Sequence, residues 1–328
     1  MKLLSLRLES FRGAPDGAWS FVDPRSGLPH PVMVVTGGAA SGKTSMLLAI
    51  AFLWETAAGH ARADEYERCL RNGRAEGQVS ATWLLDEDER RVAGVREAVQ
   101  ATEVGLGRRA LPRIDHGLRR LFANYAHAGR TGKIELFGRG RSLGLHGPPR
   151  GGGPTRSEAI EQRLRTTRRA DKYFDIPAWL LETATKDAQA ARSKASVSGV
   201  LLDADAPDSL AAFREGVATL APHLRFDGLH VTSASSSLRF LRREGAQVDL
   251  EDLSDSEQEA VLLAGTFARV GLRRSIVLVD APEAVAAPEA HGRVLRAIAG
   301  LGADNQVIAA SNAAAVMASV PPPCVIRL

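Results

Sequence analysis

One stretch of this 328-residue chain predicts the fold class: Val32-Met33-Val34-Val35-Thr36-Gly37-Gly38-Ala39-Ala40-Ser41-Gly42-Lys43-Thr44. Its apolar, β-branched beginning predicts a buried strand. A turn of small residues follows, and the apolar residues 45–54 after it predict a helix. Residues 37–44 satisfy the pattern G-x-x-x-x-G-K-[ST] in the strand–loop–helix context that gives the pattern its meaning. The sequence therefore predicts a nucleoside triphosphate site.

Each residue type in this loop suits phosphate binding. Small residues let backbone N–H groups surround phosphate oxygens, and the N-terminus of the next helix adds the positive end of its dipole. Lys43 is expected to reach the β- and γ-phosphates, and the Thr44 hydroxyl to bind Mg²⁺. ATP and Mg are the expected cofactors, with nucleotide contacts from Gly37, Gly38, Ala39, Ala40, Ser41, Gly42, Lys43, Thr44 and Ser45.

Bulk composition favours a protein without membrane spans. Hydrophobic residues make up 45% of the chain and charged residues 24%, both ordinary values. No run of about 20 apolar residues could cross a bilayer, and the alternating first residues lack the apolar core of a signal peptide. Cys69 and Cys324 form neither a metal-ligand pair nor a disulfide framework. We therefore expect a cytoplasmic protein with no membrane partner.

Positive charge is concentrated in the middle of the chain. Residues 101–180 contain 16 Lys and Arg against 7 Asp and Glu, although the whole chain has a net charge of only +4. This local excess suits nucleic acid or an acidic partner, and a solvated arginine-rich surface is an alternative of equal weight. The residues considered for such contacts are Arg108, Arg109, Arg165, Arg168 and Arg169.

Local patterns predict an α/β protein that contains a mixed sheet. Residues 4–8 alternate as a strand, and residues 77–92 have the pattern of an antiparallel hairpin with an acidic turn. The composition of residues 138–156, which is dominated by Gly, Pro and Arg, predicts a mobile loop. Further expected elements are a strand at 134–137, helices at 115–127, 157–169 and 207–220, and an apolar docking patch at 176–181.

Two later motifs extend the nucleotide-site hypothesis. The apolar residues 275–280 end in Asp280, an acid at the carboxyl end of a strand, where it can hold Mg²⁺. The segment Leu253-Ser254-Asp255-Ser256-Glu257 precedes a predicted helix. One interpretation is a capping box formed by Ser254 and Glu257. The other, favoured by the position shortly before Asp280, is an anion site that closes on the γ-phosphate held by another subunit.

In this order the motifs resemble those of the ABC-type ATPases, most of all the RecF, SMC and overcoming-lysogenization-defect (OLD) group. Residues 6–13 match that group's first strand and its Phe-Arg element. Residues 253–257 correspond to its Leu-Ser-Gly-Gly-Gln/Glu signature, and Asp280-Ala281-Pro282-Glu283 to its Asp-Glu-Pro-Glu. Residues 309–312 fall where the group has a strand that ends in Thr-His-Ser.

The resemblance implies a P-loop ABC-type ATPase core built from residues 1–95 and 245–328, with residues 96–244 as an inserted helical, basic segment. It implies an ATP-sandwich dimer in which each signature completes the site of the other subunit. It also implies that Arg12 lies near the nucleotide. The signature residues expected to contact nucleotide are Ser254, Ser256 and Glu257.

Departures from the family pattern affect hydrolysis. The catalytic base of the family is the Glu after the Walker B Asp, and Ala281 stands at that position. A methyl group cannot accept a proton. Ser311 stands where the family has its switch histidine, and Glu283 is the remaining candidate for a catalytic base, although its position two residues further on predicts a different direction. The Q-loop glutamine has no secure position, and Gln78 is the nearest candidate.

Three functions follow from these observations. The first is an ATP-binding switch or scaffold that dimerises with itself or with a related chain, hydrolyses ATP weakly or not at all, and serves a protein effector or nucleic acid. The second is an active DNA-stimulated ATPase in genome maintenance or defence that uses Glu283. The third is a metal-dependent nuclease that uses Asp203 and Asp205, a pair that lacks the third ligand of a strong metal site.

Overall fold

A computed structural model describes residues 1–107, 112–123, 131–143, 170–198, 208–232, 236–286 and 288–328. The strands in these ranges are β1 (Lys2–Glu9), β2 (Gly17–Ser20), β3 (Val32–Thr36), β4 (Gly77–Leu84), β5 (Val99–Leu106), β6 (Pro112–Ile114), β7 (Ile134–Phe137), β8 (Leu224–Val231), β9 (Ser236–Arg242), β10 (Gln247–Asp249), β11 (Ile276–Asp280), β12 (Gln306–Ala310) and β13 (Val325–Arg327). None of the helices in the described ranges is long and apolar enough to cross a membrane.

Helices connect and cover these strands. The α-helices in the described residues are α1 (Lys43–Ala57), α2 (Ala63–Arg68), α3 (Glu87–Ala93), α4 (His116–Ala123), α5 (Ile176–Ser198), α6 (Ala211–Leu220), α7 (Asp255–Val270), α8 (His291–Gly300) and α9 (Ala314–Ala318). Short 3₁₀ helices lie at Ala170–Tyr173, Leu250–Asp252, Pro282–Val285, Pro288–Ala290 and Pro322–Cys324.

The strands form three separate sheets. One is antiparallel, in the order β2-β1-β4-β5-β6, and a second is parallel, in the order β13-β3-β12-β11-β7. The third is a small antiparallel sheet of β10, β9 and β8. Both strand orientations are present as expected, but they lie in different sheets rather than in one mixed sheet. The parallel strands read as continuous apolar runs because both faces of their sheet are covered.

Helix α1 is the central element of the core. It packs against β4 and β5 of the antiparallel sheet and against β12, β11 and β7 of the parallel sheet. Its side chains are consequently buried almost all the way round, from Met46 to Ala57 with only Leu48 less deeply covered. A second group of buried side chains, from α5, α6, α7 and α8, covers the other face of the parallel sheet. Helix α1, which follows the P-loop, therefore lies between the antiparallel sheet and the parallel sheet.

The predicted hairpin at 77–92 is wrong in its second half. Strand β4 is present, but the acidic residues after it start helix α3 instead of a turn. Asp86 and Glu89 form a capping box: the Glu89 N–H donates to Asp86 Oδ1 at 2.9 Å, and the Asp86 N–H donates to Glu89 Oε2 at 2.9 Å. The strand that follows β4 in the antiparallel sheet is β5, which lies beyond this helix in the chain.

The range 96–244 contributes to both large sheets. Strands β5 and β6 extend the antiparallel sheet, and β7, which was expected at 134–137, is an edge strand of the parallel sheet beside β11. The predicted helices at 115–127 and 207–220 are present as α4 and α6 in their described parts. Ile176 and Leu180 at the start of α5 are buried, as expected of a docking patch.

Several expectations lie outside the described residues. They include residues 144–156 of the predicted mobile loop and the whole predicted basic helix at 157–169. They also include the five arginines considered for nucleic-acid contact, which are Arg108, Arg109, Arg165, Arg168 and Arg169, and the two aspartates of the nuclease hypothesis, Asp203 and Asp205.

Candidate functional site

The carboxyl ends of four adjacent parallel strands meet at one edge of the sheet. Strand β3 leads into the P-loop, β12 into Ser311, β11 ends in Asp280, and β7 leads into Gly138 and Arg139. The carboxyl edge of a parallel sheet is where such folds bind ligands. A cavity of about 480 Å³ lies there, and its lining residues are Gly13, Ala39, Ala40, Ser41, Gly42, Lys43, Thr44, Ser45, Arg139, Asp280, Ala281, Glu283, Ala310, Ser311 and Asn312.

The P-loop backbone requires glycine at position 42. Gly42 has φ +97°, in the left-handed region, and it directly precedes α1. A Cβ at this position would come within 2.5 Å of both the Gly13 carbonyl oxygen and the Ala14 Cα. Gly42 also cannot cap the helix with a side chain, and no side chain of the described residues does so. The first-turn N–H groups of α1 are therefore left facing the cavity.

Lys43 is held by the loop that it belongs to. Its Nζ donates to the carbonyl oxygens of Gly37 and Gly38, at 3.0 and 2.7 Å, and lies 3.4 Å from Ser41 Oγ. All of these acceptors are neutral. A phosphate oxygen is a stronger, charge-assisted acceptor for an ammonium group. The ammonium is therefore poised inside the loop to exchange carbonyl partners for an anion.

Thr44 and Asp280 meet although they are 236 positions apart in the chain. The Thr44 hydroxyl donates to Asp280 Oδ2 at 2.8 Å. Asp280 is only 6% exposed, as the last residue of β11. Oxygen donors of this kind are the ligands that Mg²⁺ prefers. The pair therefore fits the predicted metal position at the foot of the cavity.

Glu283 lies in the cavity, contrary to the expectation that it points elsewhere. The Ser311 hydroxyl donates to Glu283 Oε2 at 2.8 Å and accepts the Ala313 N–H at 3.0 Å. The chain can turn back in this way because Ala281 adopts φ +54°, ψ +66°, which starts the 3₁₀ helix at Pro282. Ser311, which stands in place of the family's switch histidine, is thus in direct contact with Glu283, the remaining candidate for a catalytic base.

Two further predicted positions do not line the cavity. Arg12 is half-buried and is absent from the lining, whereas its neighbour Gly13 is part of it. Gln78 lies inside β4, opposite Glu9 and Gly105. The segment after β7 supplies Arg139 to the cavity instead. No sequence motif singled out Arg139, although a strand pattern followed by Gly-Arg-Gly was a visible signal.

The signature segment lies away from the P-loop cavity of its own chain. Ser254 is exposed and Ser256 is half-exposed at the start of α7. The Glu257 carboxylate is buried and is held within its own chain. It accepts from the Ser254 N–H at 2.8 Å, from Arg242 Nη2 at 2.9 Å, and lies 3.2 Å from His223 Nε2. The contact between the Ser254 N–H and the Glu257 carboxylate is the one expected of a capping box.

These contacts determine the ionisation of Glu257. Burial by itself raises the pKa of this carboxyl group, but hydrogen bonds from Arg242 and Ser254 stabilise the charged form more strongly. Together they lower the pKa of Glu257 to about 2. The carboxylate is therefore charged at any physiological pH.

Comparisons with known proteins identify the fold. No protein-family model and no curated protein matches the sequence. A solved SMC head bound to the C-winged helix domain of ScpA is similar, with a TM-score of 0.55 and 15% identity over 98% of this chain and 92% of that chain. The Smc head domain of Pyrococcus furiosus, bound to the C-terminal domain of ScpA, has a TM-score of 0.51 and 12% identity over 97% and 92%.

The chain therefore has the fold of an SMC head domain. This agrees with the fold class that the motif order predicted. Within the described residues, no three His, Cys, Asp or Glu side chains cluster as a candidate metal site.

Proposed function

We propose that this protein binds Mg-ATP in the P-loop cavity and that bound ATP acts as a switch for head association. The observation that carries this proposal is the convergence of Lys43, Thr44 and Asp280 at the carboxyl edge of the parallel sheet. The uncapped first turn of α1 adds backbone donors that suit phosphate oxygens. Thr44 and Asp280 would hold Mg²⁺, which would supply positive charge to the phosphates.

Weak hydrolysis forms the second part of the proposal. Ala281 stands where the resemblance places the catalytic glutamate, and its methyl group cannot accept a proton from water. The residues suited to bind nucleotide are all present. A protein of this kind would keep ATP bound for long periods, which suits a switch or a scaffold better than a motor.

Association of two heads forms the third part. Ser254 and Ser256 begin α7 outside their own cavity, which leaves them available to the P-loop of a second head. The second head is either another copy of this chain or a related chain. In that arrangement Glu257 would hold the Ser254–Ser256 turn in shape, since its carboxylate is already occupied by Ser254 and Arg242. Arg12 directly precedes Gly13, which lines the cavity, and we propose that Arg12 reaches the nucleotide from the edge of the cavity.

A partner of the ATP-bound form completes the proposal. Both similar SMC heads were solved with a part of ScpA bound, and we propose that this cytoplasmic protein likewise engages a protein effector. The excess of positive charge in the sequence of residues 101–180 would suit nucleic acid as a second partner. ATP would control either partner through the arrangement of the two heads.

Titration with Mg-ATP by calorimetry tests the central claim. The natural protein should bind, and Lys43→Ala should weaken binding at least about 100-fold because several charge-assisted hydrogen bonds are lost. Lys186→Ala is the matched control, since Lys186 is an exposed lysine on α5 paired only with Glu182. Absence of binding by the natural protein would overturn the proposal.

The contact between Ser311 and Glu283 favours a second candidate, an active ATPase. Glu283 would then act as the base in place of the missing glutamate, with Ser311 orienting its carboxylate. This candidate predicts steady ATP turnover, stimulated by DNA, that Glu283→Gln abolishes. The switch predicts little turnover in the natural protein and a gain in Ala281→Glu. Measurement of phosphate release by the three proteins, with Lys43→Ala as blank, separates the two functions.

A further inference from the structure

The segment after β7 is fastened to the end of β11 by one buried arginine. Arg141 Nη1 donates to the carbonyl oxygens of Gly138 and Asp280, at 3.1 and 2.7 Å, and Nη2 donates to that of Ala281 at 3.2 Å. The Arg141 side chain is 3% exposed and also forms an ion pair with Glu259 on α7. Residues 138–141 are thereby held in one place against the metal-site strand.

Strand β7 ends beside the metal position and leads to Arg139. In the parallel pair of β7 and β11, the last paired residues are Phe137 and Val279, one residue before Asp280. Arg139 lies two residues after Phe137, in the turn that follows β7. Strand β7 is also on the side of β11 that is remote from β3 and the P-loop. Arg139 consequently approaches the cavity from the metal end.

The chemistry of Arg139 suits a terminal phosphate. Its side chain lines the cavity and is exposed between two glycines, and no described residue forms a hydrogen bond or an ion pair with it. The guanidinium presents a planar fork of donors that matches phosphate oxygens. Thr44 and Asp280 would hold Mg²⁺, which would supply positive charge to the terminal part of the triphosphate. An arginine that enters the cavity from the Asp280 side is therefore placed for the terminal phosphate.

We infer that Arg139 binds the γ-phosphate of ATP within its own chain and makes the site selective for ATP over ADP. The inference rests on the proposed nucleotide site and adds to it a residue that neither the P-loop pattern nor the resemblance provides. Arg141 is the positioning residue that holds the loop carrying Arg139 in place. Lys43 would then contact the phosphates from the P-loop side while Arg139 contacts the γ-phosphate from the opposite side.

Calorimetric titrations of the full chain with Mg-ATP and with Mg-ADP test this inference. Arg139→Ala should weaken binding of Mg-ATP about 10- to 100-fold and change binding of Mg-ADP less than about threefold, because only ATP carries the contacted group. Arg139→Lys keeps the charge and loses the fork, so its loss for Mg-ATP should be intermediate. Equal losses for both nucleotides, or none for either, would overturn the inference.

Two controls make the result specific. Arg113→Ala removes an arginine that is 83% exposed on edge strand β6, outside the cavity lining, and should leave both affinities unchanged. The titrations are repeated in a Ser256→Arg background, in which a bulky charge at the start of α7 should keep heads apart. Selectivity that persists there supports contact within one chain, and selectivity that disappears contradicts it.

The same data separate the inference from the proposed function. If the natural protein and Lys43→Ala both fail to bind Mg-ATP, the nucleotide site itself is wrong and the inference is overturned with it. If binding depends on Lys43 but Arg139→Ala binds both nucleotides like the natural protein, the nucleotide site stands and only the role of Arg139 is wrong.

Discussion

Phosphate contacts were predicted at the starts of both α1 and α7, but the two N-termini are built in opposite ways. Helix α1 starts after Gly42, and no described side chain caps it. Helix α7 starts after Ser254, whose N–H is already satisfied by the Glu257 carboxylate. The first therefore has free donors and a lysine beside them, whereas the second carries a buried negative charge of its own.

Only the N-terminus of α1, of these two, has the free donors and cations that a phosphate needs. Free N–H groups of α1 lie at a cavity whose described lining includes two cations, Lys43 and Arg139. At α7 the Glu257 carboxylate competes with any added anion, and Arg242 and His223 balance its charge. Helix α7 is thus suited to meet a phosphate that another loop already holds, which is the role proposed for it in a dimer.

The largest effect is expected at Arg141, which connects the two regions. It ties the carbonyl oxygens of Asp280 and Ala281 to Glu259, in the first turns of α7. Burial raises the pKa of the Glu259 carboxyl group, and Arg141 offsets this rise only in part. Arg141→Ala leaves this carboxylate without its cation. The free energy of unfolding should fall by about 3–5 kcal/mol, as measured by denaturant titration.

A double-mutant cycle controls this prediction. Glu259→Gln removes the charge that Arg141→Ala leaves behind, so the double variant should lose less stability than the two single losses added together. A loss below about 1 kcal/mol in Arg141→Ala, or strict additivity, would show that the two regions are not connected through this pair.

An intermediate effect is expected at Glu257, and it should depend on pH. The folded pKa of about 2 lies below the usual value of 4.5, so the stabilisation is fully present above that usual value and is lost as pH falls towards 2. At pH 7, Glu257→Gln should cost about 2–3 kcal/mol of unfolding free energy. Thermal or denaturant unfolding of both proteins between pH 7 and pH 3 measures the difference, which should shrink as pH falls.

Glu251→Gln is the matched control for this pH dependence, because Glu251 is an exposed acid in the 3₁₀ helix just before α7. Its stability should follow that of the natural protein at every pH. Mg-ATP affinity of isolated heads should also be unchanged in Glu257→Gln if its carboxylate acts on the shape of the turn alone. If the difference in unfolding free energy between Glu257→Gln and the natural protein stayed the same at all pH values, the lowered pKa of Glu257 would be contradicted.

The smallest effect, of opposite sign, is expected at Ala281. Its φ of +54° is a left-handed conformation that costs a residue with a Cβ about 1–2 kcal/mol and costs glycine little. Glycine also loses about 0.4–1 kcal/mol through the unfolded state. Ala281→Gly should therefore be neutral or stabilising by up to about 1 kcal/mol, whereas Ala284→Gly in the next 3₁₀ turn should destabilise. Calorimetry compares the melting temperatures of the two variants. Equal destabilisation of both would contradict backbone strain at Ala281.

Contiguous patterns predicted the parts of the site that are local in the chain. The P-loop, its strand and its helix follow one another within residues 32–57, so periodicity and small residues were sufficient to place them. The buried run that ends in Asp280 was equally readable. The acidic turn failed because Asp86 and Glu89 satisfy one another as a helix cap, a pattern that was present in the sequence but was read as a turn.

Contacts between distant segments were beyond the reach of such patterns. Arg139 and Arg141 gain their positions from the pairing of β7 with β11, and strand order depends on packing across the whole sheet. Glu283 turns into the cavity because of one backbone conformation at Ala281, which no side-chain pattern signals. Spacing along the chain alone predicted that the Glu283 side chain points elsewhere.

Consecutive residues were sufficient to predict the P-loop pattern and the buried acid that ends β11, because the backbone and burial preferences of those residues agree. The folded arrangement of distant segments brings Thr44 to Asp280 and Ser311 to Glu283, and it adds an arginine from the turn after β7 to the same cavity. The physical reason is that the carboxyl ends of parallel strands converge according to sheet order, and sheet order is set by long-range packing.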